Sequence, residues 1–335
     1  MTNATEKVRD GLASLGKLLF AQQSELLNAT TSRGLEPCLA PLDGPSLDGG
    51  LKALDIANAA YISELAWLAN RVNHFSQSAE MHNQSLNSLA LPSARQTARA
   101  VDLLTKMCAN ALFASLQAID LRIAFHDFIC EVYRWCVSAA DEEQAKLFIA
   151  IVISQYLRNA NLESRKRAHL AIAAFCGSDL KAAGSTRASI LAKAMLQNTD
   201  CGLPHLVSEK EWRDALASQL DKKFVACMKR RIQISHYEHI GTRASSPTGS
   251  CEGLTARVPQ SGPPLLDVWL MIRKSMRIPM WPGVRHARKH CEAEKWSRCR
   301  GTLAHEVTMI YDAIKDGSLI SEISTILDRL QHSGN

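Results

Sequence analysis

Apolar residues recur at steps of three and four along three stretches of the first 125 residues. A helix turns once every 3.6 residues, so this spacing places the apolar side chains of each stretch on one face. The sequence therefore predicts three long amphipathic helices over residues 5–30, 51–70 and 93–125, with one shared apolar side. The positions that carry the pattern are Val8, Leu12, Leu15, Leu19 and Leu26, then Leu51, Leu54, Tyr61, Leu65 and Leu68, then Val101, Leu104, Cys108, Leu112 and Leu116.

Shorter helices are predicted in the rest of the chain. Ser93 with Gln96, and Ser208 with Glu211, have the spacing of a capping box and mark two helix starts. Lys315 before Gly317 marks a helix end. The clearest later helices span 141–157, 185–197, 208–234 and 265–277, and a Gly/Ser/Pro/Thr-rich linker is predicted over 241–264.

Composition supports helices over sheet. Aromatic residues make up only 6% of the chain, whereas strands are enriched in aromatic and β-branched residues. No apolar run exceeds seven residues, far below the roughly 20 that a membrane span needs. The first twenty residues are interrupted by charges, which argues against a signal peptide. We therefore expect an all-α protein of the cytoplasm that does not associate with membranes.

The ten cysteines are scattered and contain no Cys-x-x-Cys pair, which indicates free thiols in a reducing compartment rather than disulfides. His286, His290, Cys291 and Cys299 fall within fourteen residues but fit no zinc spacing. A basic surface segment is the preferred interpretation of that stretch, and no metal site is predicted.

Charge is distributed unevenly. Residues 1–125 carry 10 Lys and Arg against 11 Asp and Glu, whereas residues 126–335 carry 29 against 22. A basic half with its strongest cluster at 285–300 could attract nucleic acid. No recognition motif for nucleic acid accompanies it, so a solvated surface is the simpler interpretation and no nucleic-acid partner is predicted.

A polar stretch between the second and third helices, the Gln77–Asn87 loop, is the first candidate for a site. It places Glu80 among the amides Asn83 and Gln84, and a carboxylate beside such groups can orient an amine or exchange a proton with it. Lys52, at the start of the second helix, could supply the opposite charge. Polar loops are also common without any function, and that alternative stays open.

An ordered run of motifs resembles the C-terminal part of the aromatic amino-acid ammonia-lyases, in particular the fungal phenylalanine ammonia-lyases. The similarity is dense over residues 1–125, weak over 126–300, and returns over 301–330. The motifs are Pro45-Ser46-Leu47-Asp48 with Gly50-Leu51-Lys52 and Asp55-Ile56-Ala57, Ala60-Tyr61-Ile62-Ser63-Glu64-Leu65, Leu68-Ala69-Asn70, Gln77-Ser78-Ala79-Glu80-Met81-His82-Asn83-Gln84 with Asn87-Ser88-Leu89, Gln117-Ala118-Ile119-Asp120-Leu121-Arg122, Ile278-Pro279-Met280, and Ile310 to Gly317.

The resemblance implies an all-α bundle of long helices that assembles as a tetramer, with a smaller helical shielding domain. Residues 1–125 would form the central bundle, 126–300 the shielding region with its linker at 241–264, and 301–335 helices that return to the bundle. The family eliminates ammonia from phenylalanine, tyrosine or histidine without a free cofactor. Its electrophile is a methylidene-imidazolone made from an internal Ala-Ser-Gly.

Carried over motif by motif, Lys52, Glu80 and Asn83 match substrate- or product-binding positions. Glu80 is the candidate catalytic residue, and Gln84 matches an amide near the electrophile. The resemblance also leads us to expect the side chains of Lys52 and Glu80 on the same face of the bundle, close to Asn83.

The chain departs from the family pattern at several points. It contains no Ala-Ser-Gly, since its two Ser-Gly pairs follow Gln260 and His332, and Arg71 and Phe75 replace the family's proline and histidine. We therefore interpret it as a truncated form of a lyase acting on phenylalanine or tyrosine, inactive alone. The alternative is a non-catalytic helical subunit. Expected partners are further copies of the chain or full-length lyase subunits, with an aromatic amino acid as the parent substrate.

Overall fold

In the computed structural model the chain is a stack of α-helices. The structure describes residues 1–41, 49–139, 142–159, 162–177, 183–197, 208–237, 263–283 and 302–333. Within these ranges there is no strand, and one isolated bridge joins Ala79 and Gln84. The helices are α1 Thr2–Leu27, α2 Lys52–Leu68, α3 Ala90–Ala139, α4 Glu142–Arg158, α5 Ser164–Gly177, α6 Ala183–Gln197, α7 Glu209–Tyr237, α8 Pro263–Leu270, α9 Leu303–Lys315 and α10 Ser318–Ser333, with short 3₁₀ turns at Pro37–Leu39 and Asn73–Phe75 and a π turn at Met271–Ser275.

Helices α1, α2 and α3 form the N-terminal bundle. Near one end, Arg9 donates to the carbonyls of Leu68 (2.7 Å) and Ser93 (2.9 Å). Further along, buried amide side chains from the three helices bond in a row, Asn110 to Asn58 and Asn58 to Gln23. Helices α1 and α3 therefore run in the same direction and α2 runs against them. Apolar side chains of α2 and α3 fill the space between: Leu65, Leu68, Ala100, Leu103 and Met107.

The expectation of three long helices is confirmed, but the buried face of α1 differs from the predicted one. Val8 and Leu15 are about half exposed, and Glu6, Arg9 and Gln23 are buried in their place. Gly16 lies so close to α2 that a Cβ atom there would stand 2.8 Å from Leu65. The close approach of α1 and α2 uses small and polar residues, and part of the apolar side of α1 remains on the surface.

The α3 helix is longer than predicted. It spans 50 residues, about 75 Å at the usual helical rise, and continues fourteen residues past the predicted end at 125. Its buried stripe continues through Phe128, Val132, Trp135 and Cys136, which lie in one core cluster with residues from the second half of the chain. By length and composition α3 alone among the described helices could cross a membrane, but 67% of the relevant window is buried inside the protein, as in a core helix.

Helices α4 to α7 pack around the second half of α3. Four aromatic rings lie at the centre, those of Phe125, Phe128, Tyr156 and Phe224, with centroids 5.4–6.3 Å apart. The predicted helices 141–157, 185–197 and 208–234 correspond to α4, α6 and α7 within three residues at each end.

One of the two predicted capping boxes is confirmed. Ser208 and Glu211 exchange side chain-to-amide bonds of 3.0 and 3.3 Å at the start of α7. Ser93 does not cap, because α3 begins three residues earlier, and its hydroxyl instead accepts a bond from Arg9. The predicted stop is confirmed, since α9 ends at Lys315 and Gly317 has φ +84°.

The C-terminal helices return to α3. Tyr311 on α9 donates to Asp102, which lies in the first half of α3. Because α3 runs unbroken through residue 125, the predicted boundary there falls inside a helix. The division into domains stays a prediction. Most of the predicted linker at 241–264, the basic stretch at 285–300 and the Pro45–Asp48 motif lie outside the described residues.

Candidate functional site: the Gln77–Asn87 loop

The Gln77–Asn87 loop is a small hairpin at the end of the N-terminal bundle where α1 and α3 begin and α2 ends. Ala79 and Gln84 exchange backbone hydrogen bonds of 2.9 and 3.1 Å. One step further out from the tip, the amide of Asn87 donates to the carbonyl of Gln77 at 2.8 Å. These bonds close the hairpin, and every residue of the loop except Ala79 is exposed.

The tip of the hairpin is strained. Glu80, Met81 and His82 have φ angles of +55°, +52° and +69°, in the left-handed region that residues other than glycine rarely adopt. Such residues cost on the order of 1–3 kcal/mol each and persist where other contacts determine the backbone. The Glu80 side chain at this tip is exposed to solvent.

The polar groups of the tip lie close together. The side-chain amide of Asn83 donates to the Glu80 carboxylate at 3.5 Å, and its backbone amide bonds to the Glu80 carbonyl at 3.0 Å. The Gln84 amide donates to the carbonyl of Leu86 at 3.2 Å, and Ser78 bonds His82 at 2.9 Å. The structure thus brings Glu80, Asn83 and Gln84 together on one exposed turn.

Lys52 lies elsewhere. It starts α2, beside Cys38, whose carbonyl accepts a bond from Leu51. The loop follows the other end of α2, about 25 Å away at the rise of a 17-residue helix. The expectation that Lys52 and Glu80 share a face near Asn83 is therefore wrong for a single chain, because α2 separates the two side chains.

The motif at 117–122 forms hydrogen bonds with segments that are distant in the sequence. Gln117 donates to the carbonyls of Leu39 and Trp281 and accepts the Trp281 amide at 3.0 Å. Arg122 donates to the carbonyls of Ser32 and Arg33, while burial lowers its pKa. The motif thus connects α3 to residues 32–39 and to Trp281, a role that its local pattern does not reveal.

Asp120, in the same motif, is the centre of a buried charge cluster. Its carboxylate accepts from Arg231 at 2.6 and 3.0 Å, from Arg273 at 3.0 Å and from the indole of Trp269 at 3.1 Å. The three charged residues are at most 4% exposed. Burial lowers the pKa of Arg273, and Asp120 opposes that shift. The cluster joins α3 to α7, α8 and the π turn.

Residues that hold the loop were missed at the sequence level. Glu6 and Arg9 of α1 are 3% and 1% exposed and bond to the chain on both sides of the loop. The available signal was their three-residue spacing in register with Ala13 and Gly16, which places two charges on a buried helix face. Among the described residues no group of three His, Cys, Asp or Glu could hold a metal, and the 286–299 cluster lies outside them.

Comparisons with known proteins agree with the motif resemblance. A family model described as aromatic amino acid lyase matches residues 1–134. Phenylalanine ammonia-lyase 2 of Pleurotus ostreatus is 33% identical over 325 residues, which are 95% of this chain and 40% of that protein. A phenylalanine ammonia-lyase of Agaricus bisporus is 50% identical over 128 residues, and the match covers 89% of it.

Comparison with solved structures leads to the same family. The crystal structure of phenylalanine ammonia-lyase from Rhodosporidium toruloides superposes with a TM-score of 0.67 at 28% identity, over 97% of this chain and 46% of that one. The chain spans less than half of the Pleurotus and Rhodosporidium proteins. Its match to the family model and to these relatives shows that the chain belongs to the aromatic amino acid lyase family.

Proposed function

We propose that the chain contributes the Gln77–Asn87 loop to the active site of an aromatic amino-acid ammonia-lyase, which converts phenylalanine, or tyrosine, into cinnamate or coumarate. The observation that carries the proposal is the hairpin itself: Glu80, Asn83 and Gln84 are grouped on an exposed, strained turn. Family membership supplies the reaction class, carbon–nitrogen bond elimination.

The chemistry of the loop suits an amino group. An ionised carboxylate binds an ammonium by a charge-assisted hydrogen bond and can take up or return a proton as the amine departs. Asn83 donates to the same carboxylate and so restrains its orientation. Such acid–base assistance contributes roughly 10²–10⁴-fold to a rate.

The residues of this chain do not fit the methylidene-imidazolone of the family, because no Ala-Ser-Gly occurs among the 335 residues. Enzymes accelerate reactions by roughly 10⁶–10¹⁷-fold, so Glu80 alone falls short of lyase turnover. We propose that the site is completed by residues outside this sequence, with Lys52 entering a site other than that of its own Glu80.

Exposed apolar side chains support assembly with other lyase chains. Leu15 and Leu18 on α1 are 53% and 54% exposed, and Trp67 on α2 is 60% exposed. Phe75 and Met81, beside and within the loop, are 64% and 97% exposed. Trp67, Phe75 and Met81 lie near the loop, and large exposed apolar side chains of this kind are typical of an interaction surface. The partner chains are further copies or longer lyase subunits.

A complementation experiment tests the proposal. The chain is co-expressed with a full-length fungal phenylalanine ammonia-lyase whose glutamate in the same Q-S-A-E motif is replaced by glutamine. Cinnamate release is expected from the mixture with the native chain and not with the Glu80→Gln variant, whereas the chain alone releases none. Turnover by the chain alone that disappears in Glu80→Gln, or a mixture that stays inactive, would contradict the proposal.

A non-catalytic helical subunit is the second candidate, favoured by the missing Ala-Ser-Gly and by Arg71 in place of the family's proline. It predicts stable co-purification with the full-length lyase without any recovery of cinnamate release. The two candidates therefore differ in the same experiment.

A further inference from the structure

We propose that Glu6 and Arg9 of α1 are positioning residues that fix the backbone conformation of the Gln77–Asn87 loop. They do so by binding the loop's two stems, which are the chain segments 68–76 before it and 88–93 after it. Their link to catalysis rests on the function proposed above for Glu80. Their effect on the loop stands on the contacts alone.

Arg9 joins the end of α2 to the start of α3. Its guanidinium donates to the carbonyls of Leu68 at 2.7 Å and Asn70 at 3.2 Å, on the chain that enters the loop. It also donates to the carbonyl of Ser93 at 2.9 Å and to its hydroxyl at 2.7 Å, on the chain that leaves the loop. One side chain therefore fixes the separation of the two stems.

Glu6 acts one turn earlier along α1. Its carboxylate accepts the backbone amides of Val72 at 2.8 Å and Asn73 at 3.2 Å, at the start of the 3₁₀ turn that precedes the loop. On the chain that enters the loop, the two charges match the polarity of the backbone ends that they bind. A cation meets the free carbonyls where α2 ends, and an anion meets the free amides where the next turn begins.

Packing alone does not account for charges at these two positions. A buried charge costs several kcal/mol unless it is fully hydrogen-bonded, and apolar residues of similar volume would fill the same space at lower cost. Apolar side chains are present on α1, yet Val8 and Leu15 are about half exposed while Glu6 and Arg9 are buried. Charged residues occupy these two buried positions because their side chains bind backbone amide and carbonyl groups beside the loop.

The loop needs support from outside itself. Three consecutive left-handed residues, 80–82, form its tip, and its own backbone bonds lie in a solvent-exposed turn. Strained backbone persists only where surrounding structure determines it. The contacts of Glu6 and Arg9 supply that constraint at the stems, so the direction of the Glu80 carboxylate depends on α1.

Hydrogen exchange of the purified 335-residue chain tests the positioning directly. Hydrogen bonds to charged groups are the stronger ones, so Arg9→Met should speed exchange at the bonded amides of Ala79, Gln84 and Asn87 by about tenfold or more. Amides in α7 should be unaffected. Arg9→Lys, which keeps the charge and part of the donor set, should restore slow exchange in part.

Two controls separate positioning from general loss of stability. Arg71→Met removes an arginine near the loop that is 63% exposed and whose ion pair with Asp10 is long, at 4.0 Å. This variant should leave hydrogen exchange in the loop unchanged. Val132→Ala destabilises the packing of α4 to α7 around α3, far from the loop. Equal acceleration of the loop in Arg9→Met and Val132→Ala, or none in Arg9→Met, would overturn the inference.

The complementation assay gives an independent outcome. If native chain restores cinnamate release, Arg9→Met should lower kcat more than it raises KM, and Arg9→Lys should recover part of kcat. A normal kcat in a variant whose loop exchanges faster would overturn the catalytic part of the inference. If no chain restores activity, the proposed function fails while the exchange result still decides whether Arg9 sets the loop.

Discussion

Replacing Asp120 by asparagine should destabilise the protein more than any other conservative substitution in α3. Asp120 is fully buried, and its carboxylate is bonded to Arg231, Arg273 and Trp269. Asparagine keeps the shape but loses the charge. One of its two terminal atoms becomes a donor that faces guanidinium donors.

The magnitude follows from the burial of the partners. Removing one member of a buried ion pair costs about 3–5 kcal/mol, because the other charge remains buried and uncompensated. Arg231 is 4% exposed and Arg273 is 2% exposed, so two charges lose their counterion at once. We expect a loss near 5 kcal/mol, which is a large part of the roughly 5–15 kcal/mol that stabilises an ordinary protein.

Urea unfolding followed by tryptophan fluorescence measures the effect, since Trp269 lies in the cluster. With an m-value of about 3 kcal/mol per molar urea, the midpoint should fall by about 1.7 M. Asp102→Asn on the same helix is the matched control. Its carboxylate is 37% exposed, pairs with Lys106 at 2.8 Å and accepts from Tyr311. Asparagine keeps an oxygen that can accept from Tyr311, so the loss should be below about 1 kcal/mol. Similar small losses in both variants would refute the reasoning.

Two further predictions concern buried polar groups and thiols. Asn58→Leu should lower the free energy of unfolding by about 1–3 kcal/mol, because it removes the hydrogen-bond partner of the Gln23 and Asn110 side chains. Replacing all three residues by leucine should recover most of the lost stability. Urea unfolding measures both, and a single variant as stable as the native chain would contradict the prediction. Burial raises the pKa of Cys136 and of Cys227 to about 12, so both stay neutral thiols at pH 8. Peptide mass mapping after maleimide treatment should find them unlabelled in the folded chain and labelled in urea, and rapid labelling of the folded chain would count against the burial of these two thiols.

Local patterns predicted most of the helices. Strong three-and-four spacing fixed the helices of the N-terminal bundle, and Ser208 with Glu211 fixed the start of α7. The end of α3 was placed too early although Phe128, Val132 and Trp135 keep the same spacing. These residues pack against α4 to α7 rather than against α1 and α2. The helices that contact α3 therefore change near residue 125 although α3 itself is unbroken.

Contacts between distant parts of the sequence could not be predicted. Ser93 has the local signature of a helix cap, but Arg9, 84 residues earlier, bonds its hydroxyl. Grouping Glu80 with Asn83 and Gln84 needed only their short spacing, and the structure has them on one turn. Pairing Lys52 with Glu80 required knowledge of the length and direction of α2, which place the two side chains at opposite ends.

The charge cluster at Asp120 has a consequence for synthesis on the ribosome. Its counterions lie 111 and 153 residues further along the chain. At roughly 5–20 residues per second, translation from Asp120 to Arg273 takes about 8–30 s. During that interval the middle of α3 carries a bare carboxylate where an apolar core has to close. The packing of α7 and α8 against α3 therefore cannot be completed until residue 273 has been synthesised, and chaperones have that time in which to bind the nascent chain.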